Sequence, residues 1–504
     1  MQEFPLKPLN LLGKEFKLLA KNTSMLAATR VFQFLTGLFR IKLSAVLLGT
    51  VGMGVIDQFT FLTNKISRLS TIGTVEGFIK QVASNTQNEK IEQILNSTLK
   101  SYILVISGFV VVSSAISLFF QDFLTNYIFG DLIYIEYFYL AILTFPLLVI
   151  GSVPFSILKA FKNIKAISKS RIYIVIAQLI IAIPMIYFYK LNGAIIYIPI
   201  SYIIDFLFLH YFAKKYYYTK YNLSIISVIK APLITAYLKE LFVFSGFGLT
   251  VGVYAVISEV VCRSIVVSEL GVEIIGVYSP IILFSSLFSG FILPSLSTYL
   301  YPRFCELTKN DEVNDVINSA IRLATLVLIP FLFIGIPFQK LLIVLFFSSD
   351  FIEATNYLPY HFLGMVFFVW GYVFSQWFTP NGKIKIYGFF RVIYFTVDIV
   401  VTYYFVKYFG LYGWMLKFII APVLFSGIYH IYLRKKISFV LTSKNMKIMF
   451  FLLAGAALLI LLQFFYNMQI VTMVIGVLLF FSTYFFLNND EIGFLKKLLS
   501  YIKR

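Results

Sequence analysis

The chain has 504 residues, 60% of them hydrophobic and only 13% charged, with a mean hydropathy of +0.87. No soluble interior of this size hides so much apolar surface, so composition excludes a water-soluble globule and indicates a polytopic membrane protein. The net charge of +19 is read first as topology rather than as affinity for nucleic acid, and two cysteines with three histidines supply neither a disulfide framework nor a histidine-based metal site.

The N-terminus, MQEFPLKPLNLLGKEFKLLAKN, is basic and amphipathic and lacks an apolar core followed by a small-residue cleavage site, so it is expected to be retained. Hydropathy then predicts fourteen spans, at 24–48, 51–78, 99–121, 132–158, 170–189, 194–213, 241–268, 274–300, 316–338, 356–379, 386–406, 411–433, 446–466 and 469–487. Each is long enough to cross about 30 Å of hydrocarbon at 1.5 Å per residue. Counting lysines and arginines in the connections, together with Lys100, Arg171, Arg322, Arg391 and Lys447 near the adjoining span ends, 32 fall on alternate segments beginning with the N-terminus, three (Lys190, Lys340 and Lys407) on the opposite segments and the remaining seven inside spans. This bias places both termini in the cytoplasm and agrees with an even number of spans.

The two halves repeat. LGTVGMGV (Leu48 to Val55) and LGVEIIGV (Leu270 to Val277) share L-G-x4-G-V at an offset of 222. Ile164-Lys165, Arg171, Gly193, His210 and Lys214-Lys215 match Ile384-Lys385, Arg391, Gly413, His430 and Arg434-Lys435 at 220. Six ordered matches imply two parallel six-helix repeats, the expected architecture of an all-α transporter whose site lies between the halves. The expected domains are a first repeat at 1–213, a cytoplasmic connector at 214–240, a second repeat at 241–436, and two additional helices with a basic tail at 437–504.

The cations inside spans are Arg30, Arg40, Lys42, Lys65, Arg68, Arg263 and Lys417. In the first span Arg30, Gln33, Gly37, Arg40 and Ser44 recur at helical spacing and form one polar stripe, with Lys42 on the other side near the outer end. Asp57, Asn64, Lys65 and Arg68 share an arc of the second span, and Glu259 and Arg263 are four apart in the seventh. Internal ion pairs, Glu259–Arg263 and Asp57–Lys65, account for part of this charge. They do not account for a first span with three cations and no acid. Intramembrane charge of this sign points to an anionic cargo, and the planar fork of arginine suits phosphate oxygens. The helix prolines, Pro146, Pro154, Pro280, Pro294, Pro330, Pro337 and Pro359, are expected to kink their spans, and His210 and His430 to be interfacial. No G-x4-G-K-[ST] phosphate loop or G-x-S-x-G elbow occurs.

The cationic first helix ending in AVLLGTVGMGV resembles the start of bacterial polysaccharide flippases, and YLPYHFLGMVFFVWGYVFSQWFTPNGKIKIYGFFRVI followed by YFGLYGWML is similar to their tenth to twelfth spans. With the six-plus-six-plus-two plan, the chain resembles the Wzx-type O-antigen or capsule repeat-unit flippases of the multidrug/oligosaccharidyl-lipid/polysaccharide exporter superfamily. The resemblance implies a non-enzymatic transporter of the bacterial cytoplasmic (inner) membrane whose cargo is an oligosaccharide on undecaprenyl diphosphate. On that expectation Arg30, Arg40, Lys65, Arg68 and Arg263 hold the anionic headgroup. Asp57, Glu259 and Asp398 are the candidates for ion coupling. No resident cofactor is implied beyond a proton or sodium gradient; the implied partners are the lipid-linked oligosaccharide, membrane lipids and the glycan polymerase machinery, with no nucleic acid. A flippase for a lipid-linked peptidoglycan precursor shares fold and cargo charge. A multidrug or metabolite exporter of the same superfamily fits less well, since its cationic drugs call for acidic cavities. A polytopic glycan polymerase is disfavoured by short outer loops.

Overall fold

The computed structural model describes residues 9–71, 74–307, 309–466, 469–488 and 491–493, with side chains from Thr29 onward except at 240–250, 287–288, 291 and 465–466. The first eight residues and the basic tail from Lys496 lie outside the described residues. Among the described residues every regular element is helical: α1 (Leu9–Thr71), α2 (Thr74–Ser84), α3 (Ile91–Phe119), α4 (Gln121–Phe129), α5 (Ile135–Ala160), α6 (Ile164–Ala213), α7 (Ile225–Lys230) and α8 (Thr235–Leu270). They continue with α9 (Val272–Glu306), α10 (Asn310–Phe333), α11 (Gln339–Phe346), α12 (Leu358–Ser375), α13 (Ile384–Ile437), α14 (Ser443–Tyr466) and α15 (Gln469–Ser482). The protein is an all-α polytopic membrane protein.

Among the described residues ten helices are long and apolar enough to cross a membrane. Three of them are doubled. A single residue breaks α1 at Gly49 (φ 63°), α6 at Lys190 (φ 51°) and α13 at Gly410 (φ 56°). In α6 the arms fold back, so that Gln178 donates to the Ser201 carbonyl at 3.1 Å and Arg171 meets Asp205. In α13 they do the same, bringing Tyr394 against Phe425. Splitting these three gives thirteen membrane-length segments, and the 35-residue α9, apolar over Val272–Ser286, completes the expected fourteen. Of the prolines expected to kink helices, Pro146, Pro154, Pro280, Pro294 and Pro330 lie inside helices, whereas Pro359 sits in the first turn of α12 and Pro337 in the turn before α11.

The repeat is visible in the turns. Lys190 and Gly410, the two break points, stand 220 apart, and so do Gly193 and Gly413 just beyond them. A Cβ at Gly193 would lie 1.9 Å from the Met185 carbonyl oxygen, and one at Gly413 would lie 1.9 Å from that of Phe405, again 220 residues on. The L-G-x4-G-V motifs meet each other. A Cβ at Gly54 would come within 2.2 Å of the Val272 carbonyl oxygen, and one at Gly276 within 1.8 Å of that of Thr50. Since 50 and 54 pair with 276 and 272 at the 222 offset, this is a reciprocal contact with local two-fold symmetry, and only hydrogen at Cα lets the backbones approach so closely.

The chain divides into two compact units, residues 1–276 and 277–504. The first has its core between α1, α2, α3, α4 and α5, where Phe59, Phe78, Tyr102, Phe129, Phe138 and Phe145 are fully buried. Here α8 packs on α2, α3 and α4, so it belongs to this unit. The connector expected at 214–240 is held to it as well, because Lys100 Nζ donates to the carbonyls of Ile229 and Ala231, each at 2.7 Å. In the second unit α12 packs on α10 and α13, and the chain after α15 is clamped back. Arg322 of α10 grips Glu491 with two bonds, 2.6 Å from Nε and 2.9 Å from Nη2, and its Nη2 also donates to the Phe486 carbonyl at 2.6 Å.

Candidate functional site

The cations of α1 occupy a ladder of depths. Counting about 1.5 Å per residue from the Gly49 turn, Arg40 lies about 13 Å down the first arm and Arg30 about 28 Å, with Lys65 about 24 Å and Arg68 about 28 Å down the second. Over residues 24–48 the first arm carries no acid, so the charge of Arg30, Arg40 and Lys42 has to be balanced from outside that stretch. Arg30 and Arg68 are exposed, whereas Arg40 and Lys65 are half-buried.

Arg40 is positioned by α6. Its Nη1 donates to the Tyr197 hydroxyl at 3.1 Å, and its guanidinium carbon lies 5.5 Å from the centroid of the same ring. Tyr197 is itself buried, so one face of the guanidinium is fixed while the fork keeps further N–H donors.

Lys65, Glu259 and Arg263 form one cluster. The Lys65 ammonium donates to Glu259 Oε2, and both Lys65 and Arg263 lie over the buried Phe61 ring, at 5.3 and 4.5 Å from its centroid. The sequence suggested a partner for Lys65 on its own helix; the fold supplies one from α8, 194 residues away. An aromatic face stabilises a cation without neutralising it. Arg68 lies one turn beyond Lys65 on α1 and is exposed. The Glu259 carboxylate is 55% exposed while Lys65 is 15% exposed, so the acid is the more accessible member of the pair. Of the remaining candidates in this unit, Lys42 and Asp57 are half-buried.

Asp398 stands apart, in the second unit. It pairs with Lys417 at 2.9 Å across the α13 hairpin, where Lys417 is buried and Asp398 half-buried. Lys417 also lies 5.1 Å from the Phe418 centroid, and that ring packs against His361, whose Nε2 is bonded to the Ser285 hydroxyl. The sequence reading passed over His361 and Tyr197, since a lone histidine or tyrosine in an apolar span carries no periodic signal. The nearest thing to a signal for Tyr197 is the repeat, which aligns it with Lys417 at 220. Asp205, a further half-buried acid, is taken up by Arg171 at 3.4 Å and by Gln178 at 3.0 Å, an arrangement that ties the two arms of α6 together.

Residues 45–356 match the model of a family described as polysaccharide biosynthesis protein. The chain belongs to this family. No curated protein matches it in sequence. Its fold is similar to that of a lipid II flippase, MurJ, in an inward closed conformation (TM-score 0.67, 19% identity, 92% of this chain and 99% of that one). It is equally similar to an inward-facing multidrug resistance MATE family transporter of the MOP superfamily (TM-score 0.67, 15% identity, 81% and 94%). A MOP superfamily transporter from Pyrococcus furiosus, noted for the reversed polarity of its binding pocket, is also similar (TM-score 0.57, 13% identity, 83% and 94%). The family resemblance read from the sequence is therefore borne out: this polysaccharide biosynthesis protein has the fold of a transporter superfamily.

Proposed function

We propose that this polysaccharide biosynthesis protein is a flippase that carries an undecaprenyl-diphosphate-linked oligosaccharide from the cytoplasmic to the outer leaflet of the bacterial inner membrane by alternating access. The observation that carries the reading is the positive charge set along α1, where the span 24–48 holds Arg30, Arg40 and Lys42 without an acid, Arg40 is held by the neutral Tyr197 hydroxyl, and Lys65 pairs with the exposed Glu259 beside Arg263. A diphosphate supplies the missing negative charge, and the arginines offer it forked donors. The family membership favours a surface glycan over a peptidoglycan precursor. The same positive charge disfavours a cationic drug.

Lys65 engages either Glu259 or a cargo phosphate, so Glu259 is the carboxylate whose occupancy sets the availability of Lys65. Asp57, Glu259 and Asp398 remain the candidates for the coupling proton or sodium ion. Membrane lipids and the glycan polymerase machinery are the proposed partners. The test is leaflet-resolved measurement of lipid-linked oligosaccharide in a deletion strain of the native host. Accumulation in the cytoplasmic leaflet, reversed by wild type but not by Arg30→Ala/Arg40→Ala of equal abundance, is expected. Full rescue by the double variant would refute the role of the arginines, and accumulation in the outer leaflet would identify a polymerase step instead.

A further inference from the structure

At the end of the second unit remote from Lys383, Lys385 and Arg434–Lys436, the starts of α11, α12 and α15, the end of α14, the turn of α13 at Tyr412 and the segment 352–356 enclose a cavity of about 250 Å³. Its floor is made of amides. Gln339, only 5% exposed, donates from Nε2 to Gln463 Oε1 at 3.0 Å, and Gln463 Nε2 donates to the Ile336 carbonyl at 2.9 Å. Gln339 Oε1 is then left with no hydrogen-bond partner among the described residues. A buried amide acceptor is rarely left so, and it calls for a donor arriving in the cavity. The wall is aromatic: Tyr360 and Tyr412 stand edge to face with centroids 6.1 Å apart. Gln469 and Asn356 add neutral donors and acceptors, and Lys340 is the one charged residue of the lining.

Planar amides with an unfilled acceptor, beside aromatic faces and without a carboxylate, fit a ring that presents hydroxyls at its edge and C–H groups on its faces. We infer that this cavity is a saccharide-binding site. It takes one sugar ring, its hydroxyl donating to Gln339 Oε1 and its face lying on Tyr412, while Lys340 favours a sugar bearing a carboxylate. The volume sits just below the usual range for drug-sized ligands, about 300–1,000 Å³, which suits a single ring. The inference rests on the proposed function in that the cargo is taken to be an oligosaccharide. The site lies at the opposite end from the basic connections, so it would receive the sugar on the outer side.

The test is saturation-transfer NMR on the purified full chain in nanodiscs, with N-acetylglucosamine, glucuronate and glycerol 1-phosphate as probes. Both sugars are expected to receive saturation. Gln339→Leu and the surface variant Tyr412→Ala should each weaken sugar binding about fivefold, the effect of one hydrogen bond or contact. Lys340→Gln should weaken glucuronate alone. Unaltered thermal unfolding of Tyr412→Ala guards against misfolding. Absence of transfer to both sugars, transfer that survives both variants, or transfer to glycerol 1-phosphate that exceeds the sugars and is lost in Gln339→Leu and Tyr412→Ala (a lipid-headgroup site in this cavity) would overturn the assignment. Because binding is read without transport, sugar binding in a protein whose deletion leaves no leaflet accumulation would sink the flippase reading and leave this site standing.

Discussion

At the residue scale, the first unit and the second unit use buried charge differently, and the two pairs separate experimentally. Lys65–Glu259 has an exposed acid and lies beside Arg263 and Arg68, whereas Asp398 and Lys417 are enclosed together. For the enclosed pair, removing one partner leaves an uncompensated charge in low dielectric, at a cost of about 3–5 kcal/mol. Asp398→Asn and Lys417→Met should therefore each lower thermal stability in detergent strongly, and the double variant should recover much of the loss. A double variant as unstable as the sum of the singles would mean that the two groups act independently. The exposed pair should behave otherwise. Exchanging the charges, Lys65→Glu with Glu259→Lys, keeps a bond and should retain normal abundance, yet export of surface glycan should fall because position 65 then presents an acid in place of its cation. Export that survives the exchange would show that Lys65 has only a packing role.

At the scale of elements, three helices reverse on single residues, and the turns are where the duplication acts physically. Lys190 holds φ 51° with a side chain attached, whereas its counterpart Gly410 holds nearly the same angle without one. An L-residue there is strained by about 1–3 kcal/mol. Lys190→Gly should raise the unfolding temperature, while Gly413→Ala, whose Cβ has no room beside the Phe405 carbonyl, should lower it. Gly37→Ala, with no atom near its Cβ, supplies the neutral control. The clamp on the C-terminal segment has its own test. Burial raises the carboxyl pKa of Glu491, but the Arg322 hydrogen bonds, the Asn488 backbone N–H and the nearby charges of Arg322 and Lys444 outweigh it and hold the pKa below its ordinary 4.5. A depressed folded value means that the clamp stabilises fully above pH 4.5 and is lost as pH falls through the lower folded value. Amide exchange at 487–488 and 491–493 should accelerate in that acid window in wild type. In Arg322→Ala it should already be fast at neutral pH.

At the scale of the whole molecule, what the sequence made legible was what repeats along it. Apolar runs of membrane length, the alternation of basic connections and the L-G-x4-G-V motifs each leave a periodic trace, and each corresponds to a helix, a turn or a crossing in the fold. The partners did not show, because Lys65–Glu259, Arg40–Tyr197 and Gln339–Gln463 join residues more than a hundred positions apart. Periodicity places a side chain on a face and is silent on what faces it. Orientation remains the strongest unmeasured consequence of the charge pattern, and the two native cysteines can report it. Cys305 is exposed and lies two residues from Arg303 and four from Lys309, in a connection that the positive-inside bias assigns to the cytoplasm; Cys262 is buried in α8. A membrane-impermeant maleimide should therefore label the protein in inside-out vesicles and leave it unlabelled in intact spheroplasts, with Cys305→Ser abolishing the signal. Labelling from the outside would invert every connection at once, and would place the amide-lined cavity at Gln339 on the cytoplasmic side, where a sugar would be met before translocation rather than after it.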